Sequence, residues 1–130
     1  MMGPARALAA FMATLDDRHL EGLFADDVAI VENFAPYIFR DVARWREGFR
    51  AHAAHLSGLM SSFGTAQDFS RTGERVYFVL PTTWQGLSKG RAFEEHGGWS
   101  FVLAQRNQLW TIAAYAWAVT AFRFRETNDG

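Results

Sequence analysis

The stretch Trp110-Thr111-Ile112-Ala113-Ala114-Tyr115-Ala116-Trp117-Ala118-Val119 decides the fold class. It is rich in aromatic and branched residues, as strands are. Thr111–Ala121 is apolar but far short of the ~20 residues that a membrane-spanning helix needs. Read with period two, both alternating sets are apolar: Trp110, Ile112, Ala114 and Ala116 on one face, Ala113, Tyr115, Trp117 and Val119 on the other. A sheet with one wet face would alternate polar with apolar. Both faces of this strand are therefore expected to be covered, one by helices and the other by a second copy of the chain.

The neighbouring segments extend the sheet. Arg106-Asn107-Gln108 and Ser88-Lys89-Gly90 are turn material, and they separate Trp110–Val119 from Trp99–Leu103, Phe93 and Val76–Leu80. Those runs are expected to form a meander of long antiparallel hairpins. Ser61–Gly73 is ambiguous, with an irregular strand suiting Phe63 to Phe69. Upstream the period becomes helical. Asp41 is an N-cap for the longest predicted helix, with Val42, Trp45, Phe49, Ala53, Leu56 and Met60 along one stripe and His52 beside it. Val28–Val31 reads as a strand running into Glu32-Asn33-Phe34 and Pro36. Ala25-Asp26-Asp27 separates it from a short helix capped at Asp16-Asp17 that carries Leu20, Leu23 and Phe24. A first helix after Pro4 has Leu8, Phe11, Met12 and Leu15 at three- and four-residue steps. Helices, strand, helix, then a run of strands is an α+β order.

Composition narrows the chemistry. The 130 residues suit one domain, and at 49% hydrophobic and 21% charged they can build a core. Twenty aromatics (12 Phe, 5 Trp and 3 Tyr) could fill or overfill so small an interior. A net charge of −1 excludes an electrostatic grip on nucleic acid as the main function. The absence of cysteine excludes disulfides, iron–sulfur clusters, Cys-bound zinc and a thiol nucleophile. Ala7–Ala13 is only long enough for a signal-peptide core and lacks a clean cleavage site, so a soluble cytoplasmic protein without membrane contact is expected.

Leu23-Phe24-Ala25-Asp26-Asp27-Val28-Ala29-Ile30-Val31-Glu32-Asn33-Phe34, followed by a helix with Trp45, resembles the front half of the NTF2-like superfamily, which includes SnoaL-like and ketosteroid-isomerase-like proteins. Gly98-Trp99-Ser100-Phe101-Val102-Leu103-Ala104-Gln105, a turn, and Leu109-Trp110-Thr111-Ile112 are similar to its closing hairpin. The resemblance covers nearly the whole chain and is weakest over Met60–Gly73. It implies one NTF2-like domain over residues 1–130: three helices packed on a strongly curved, mostly antiparallel sheet, forming a cone with an apolar pocket. Such folds serve isomerases, dehydratases, cyclases and non-catalytic binding modules, so fold alone does not set the chemistry.

The ketosteroid-isomerase pattern is not met. Without gaps, Asn33 stands where that family has its carboxylate base, Phe11 near its helical Tyr, and Ser100 or Gly98 near its oxyanion Asp. A bulge at the strand end would turn Glu32 inward instead, where aromatic cover would tune it as a general acid or base; otherwise it faces solvent or pairs with an Arg. His96, after Glu94 and Glu95, is the second catalytic candidate, resembling the polar machinery of the family's dehydratases. His52 and His55 have metal-ligand spacing but no third ligand follows, so no metal and no cofactor is expected. Asn33, Tyr37, Trp45, Tyr77, Trp99 and Trp117 are the candidate ligand-binding residues. Two functions are carried forward. One is a cofactor-free isomerase, dehydratase or cyclase that binds a small, largely apolar molecule. The other is a non-catalytic ligand-binding or dimerisation module whose pocket is filled with side chains. The alanines of the last strand favour an open cavity; the aromatic load favours a plugged one.

Overall fold

In the computed structural model, which describes residues 1–125, two helices cover the concave face of one seven-stranded sheet. Residues 126–130 of the expected domain lie outside the described residues. Helix α1 (Gly3–Thr14) carries Pro4 in its first turn, where a missing N–H leaves no partner unmet, and it buries Leu8, Phe11 and Met12. A 3-10 turn at Asp17–Leu20 follows, capped by the Asp16 carboxylate, which accepts from the Arg18 N–H. Helix α2 (Val42–His52) is capped by Asp41, whose Oδ1 accepts from Ala43 at 2.9 Å. Its buried pair, Trp45 and Phe49, is four residues apart and so lies on one face.

The strands are β1 (Phe24–Val31), β2 (Ile38–Phe39), β3 (Leu56–Phe63), β4 (Gln67–Thr72), β5 (Arg75–Ser88), β6 (Arg91–Arg106) and β7 (Leu109–Phe124). Their order is β2-β1-β7-β6-β5-β3, with β4 also on β5. Among the described residues only the β1–β7 pair is parallel. The two-residue turns Lys89-Gly90 and Asn107-Gln108 have positive φ throughout, the geometry that matches the twist of a tight hairpin. Register shifts in β1, β3, β4 and the β6–β7 pair bend the sheet around the helices. Among the described residues no helix is long and apolar enough to cross a membrane.

Three sequence expectations change. The three helices become two helices and a 3-10 turn, because Leu23 and Phe24 leave the short second helix and Phe24 opens β1. The long helix stops at His52. Ser57, Gly58, Ser61 and Ser62 are poor helix formers, and the segment pairs with β5 instead, leaving Met60 69% exposed. The two faces of β7 do not alternate as counted. Ala113 is an extra residue between the Leu103–Ile112 and Val102–Ala114 pairs, so Ile112 and Tyr115 both face the core, and Ala114 and Ala116 are turned outward. The alanines therefore do not hollow out the interior.

Candidate functional site

Beneath the ends of the helices the concave face opens into a cavity of about 210 Å³. This is smaller than the roughly 300–1,000 Å³ of drug-sized sites, so it suits a small ligand. Its wall is mostly aromatic: Phe34 and Phe49 on one side, Trp84, Phe93, Trp99, Trp117 and Phe122 from the sheet, with Met12, Leu56 and Leu59 between them. Four titratable side chains reach it, Glu32, His52, His55 and Glu95.

Glu32 immediately follows β1. Val28, Ile30 and Glu32 are buried while Val31 and Asn33 are exposed, so simple alternation carries the carboxylate inward. Its backbone N–H donates to the Tyr37 carbonyl at 2.8 Å, which fixes the loop that follows. Only 6% of the residue is exposed. The Tyr115 hydroxyl donates to Oε2 at 2.5 Å and the Trp45 indole N–H donates to the same oxygen at 3.0 Å. Trp45 is fully buried, wedged against Phe11, Phe24 and Phe49. Oε1 accepts from none of the described residues. Burial pushes the carboxyl up to about 6; the two donors oppose the rise and the charge of Glu95 adds to it. Burial likewise holds the Tyr115 phenol well above its ordinary range, so it remains a donor.

Glu95 enters from β6. Its Oε1 accepts from the Trp117 indole N–H at 3.2 Å, and burial raises its pKa as well. Trp117 lies over Gly97, where a Cβ would stand 2.4 Å from the indole ring, so that close approach requires glycine. Between the two carboxylates' supports stands Trp99, whose Nε1 is buried and has no partner among the described residues. His52 stacks on Phe34 at 4.9 Å; burial, then the neighbouring His55, push its pKa down. Among the described residues no group of three or more His, Cys, Asp or Glu is placed to hold a metal ion.

No protein-family model and no curated protein matches the sequence. Solved structures do match. A hexachlorocyclohexane dehydrochlorinase (LinA type 2) superposes with a TM-score of 0.79 over 96% of this chain and 86% of that one, at 8% identity. An NTF2-like protein of unknown function in nutrient uptake from Rhodospirillum rubrum gives 0.70 over 91% and 96%, at 24% identity. A conserved protein from Planctomyces limnophilus gives 0.72 over 89% and 91%, at 13% identity. The chain has the NTF2-like fold.

Within the NTF2-like cone the sequence candidates are distributed unevenly. Glu32, Asn33, Trp99 and Trp117 line the cavity, and Trp45 stands behind it as a donor to Glu32. Tyr37 does not reach it: it is 57% exposed, in the loop after Glu32. Tyr77 is on the outer face of β5, because Val76 and Phe78 take the inner one. His96 is also on the outer face, where its Nδ1 is 3.1 Å from the Thr83 hydroxyl and its Nε2 is 3.5 Å from Glu94. The cause is parity. Phe93, Glu95 and Trp99 are in phase on β6 and His96 is out of phase. Glu95 and Tyr115 were missed as site residues, and for Glu95 that same phase was the available signal.

Proposed function

We propose that this NTF2-like chain binds a small, largely apolar molecule in the cone cavity and moves a proton on it, as a cofactor-free isomerase, dehydratase or cyclase. The carrying observation is Glu32: a buried carboxylate in an aromatic wall, one oxygen held by Tyr115 and Trp45 and the other with no donor among the described residues. A carboxyl pushed up to about 6 is still mostly ionised at neutral pH yet basic enough to accept a proton. Oε1 takes the proton from a carbon beside a carbonyl, whose oxygen receives the electron pair. Tyr115 and Trp45 keep the carboxylate aimed during the transfer. Asn33, at the cavity mouth, orients the polar end of the substrate, and Glu95 is the second group able to carry the proton. The dehydrochlorinase activity named for one structural neighbour supports reading such a cone as a place for chemistry on an apolar molecule.

The test is deuterium exchange at the α-carbon of aryl ketones, with and without an amino group, followed by NMR in D2O. Wild-type protein is expected to accelerate exchange, and Glu32→Gln to lose about 10²–10⁴-fold of that rate. Binding without exchange would favour the non-catalytic module, and an unaltered rate in Glu32→Gln would remove Glu32 from the reaction.

A homodimer through the outer sheet face is part of this reading. Ala29, Ala114, Ala116, Val102 and Val79 stand there, with Ser100 between Val79 and Ala116, a largely apolar surface whose small side chains let another sheet approach closely. Sedimentation at micromolar concentration is expected to give twice the chain mass, reduced to the chain mass by Ala116→Glu. A monomeric wild-type mass would sink the dimer.

A further inference from the structure

The cavity's charge does not balance. Two carboxylates enter it, from the end of β1 and from β6, and among the described residues no lysine or arginine lines it. The other titratable groups facing it are His52 and His55, from the end of α2 and the turn after it, and Tyr115, from β7, which reaches Glu32 from behind. His52 is pushed toward the neutral form, and Tyr115 donates rather than carries charge. The sheet side of the wall carries five aromatics, Trp84, Phe93, Trp99, Trp117 and Phe122, all with π faces. Aromatic faces attract cations through the ring quadrupole, and they do so most strongly where water is excluded. An anionic ligand would meet two like charges in a low-dielectric wall; a neutral one would leave both carboxylates unpaired. The same wall also holds Trp99, whose ring face is available to the framework of a ligand.

We infer that the cavity takes an organic cation: a small aromatic or aliphatic amine, protonated at its nitrogen, with the ammonium group between Glu32 and Glu95 and the framework against the tryptophans. This rests on the reading of the cavity as a substrate pocket and names the class of molecule that enters it.

Three probes of one framework separate the possibilities: 2-phenylethylammonium, neutral 2-phenylethanol and anionic 3-phenylpropionate. Each is titrated calorimetrically and by tryptophan fluorescence at pH 8 and pH 5. The ammonium is expected to bind about tenfold tighter than the alcohol at pH 8, and the propionate weakest. At pH 5 Glu32 is largely protonated, so the preference should fall to about threefold or less. Glu95→Gln keeps a carbonyl for Trp117 and should weaken the ammonium about fivefold while leaving the alcohol unchanged. If the alcohol equals the ammonium, or the preference is the same at both pH values, the cation inference fails while the pocket reading stands. If no probe binds, both fail.

Discussion

Glu32 and Glu95 share one cavity and are supported by the same kind of group, an indole N–H, but they are held very differently. Glu32 is buried and has two donors on a single oxygen, one of them a phenol. Glu95 is half-buried and has one donor, at 3.2 Å. The difference shows how one fold sorts two carboxylates. Depth raises the proton affinity of both, and the donors decide which stays ionised in a fixed orientation. Glu32 is therefore the positioned base, and Glu95 the more adaptable charge nearer the mouth.

The largest effect on stability is expected from Tyr115→Phe. Removing a donor from an ionised, buried carboxylate should cost about 1.5–3 kcal/mol at pH 8. It should also move the Glu32 carboxyl further above about 6. At pH 4 the carboxyl is protonated and the lost bond is an ordinary neutral one, so the loss should shrink. Denaturant melts at both pH values read this directly. An equal loss at both would mean that Tyr115 acts by packing, and the contrast with Glu95 would lose its physical basis.

Glu32→Gln should act in the opposite direction. Between an unfolded value near 4.5 and a folded value of about 6, the folded chain keeps a proton that the unfolded chain has released. Its stability therefore falls as pH rises through that window, by about 2 kcal/mol at 1.36 kcal/mol per pKa unit. A neutral glutamine should remove that slope, raising stability at pH 8 and leaving it unchanged at pH 4. Such a gain, together with lost exchange activity, would mark Glu32 as a residue kept for function at a cost in stability. His52 and Glu94, both held below their ordinary values, tilt the whole profile the other way, so the measure is the difference between wild type and Glu32→Gln. A difference that is the same at pH 4 and pH 8 would contradict the raised carboxyl.

Much of this was legible in the residues. Helical spacing of Leu8, Phe11 and Met12, the Asp41 cap, and the Lys89-Gly90 and Asn107-Gln108 turns all stand where local chemistry puts them. What escaped was parity and competition. Glu32 needed no bulge at the strand end, since Val28 and Ile30 already set its phase. The bulges that matter lie elsewhere, in the first half of β1 and at Ala113, and neither carries a glycine or proline to announce it. Each shifts every later side chain to the other face. The long helix ends at His52, short of its apolar stripe, for a different reason. Leu56 and Met60 continue the stripe of Trp45 and Phe49, but pairing with the edge of β5 outcompetes a serine-rich helix, and Leu56 reaches the cavity from a strand. The site was thus half-visible, because a one-residue slip separates Glu95 from His96.

The smallest expected effect is that of Glu95→Gln on the free protein. The side chain is near the mouth, its oxygen can still accept from Trp117, and water already screens part of its charge. Folding stability at pH 8 should rise slightly, by less than the gain from Glu32→Gln, because burial raises the Glu95 carboxyl and a glutamine removes the cost of its charge. The pH slope that Glu32 imposes should persist but weaken slightly, because the charge of Glu95 contributes to raising the Glu32 carboxyl. If Glu95→Gln instead flattened that slope as fully as Glu32→Gln, the two carboxylates would titrate as one unit. The base would then be the pair rather than Glu32, and the proton would be shared across the cavity.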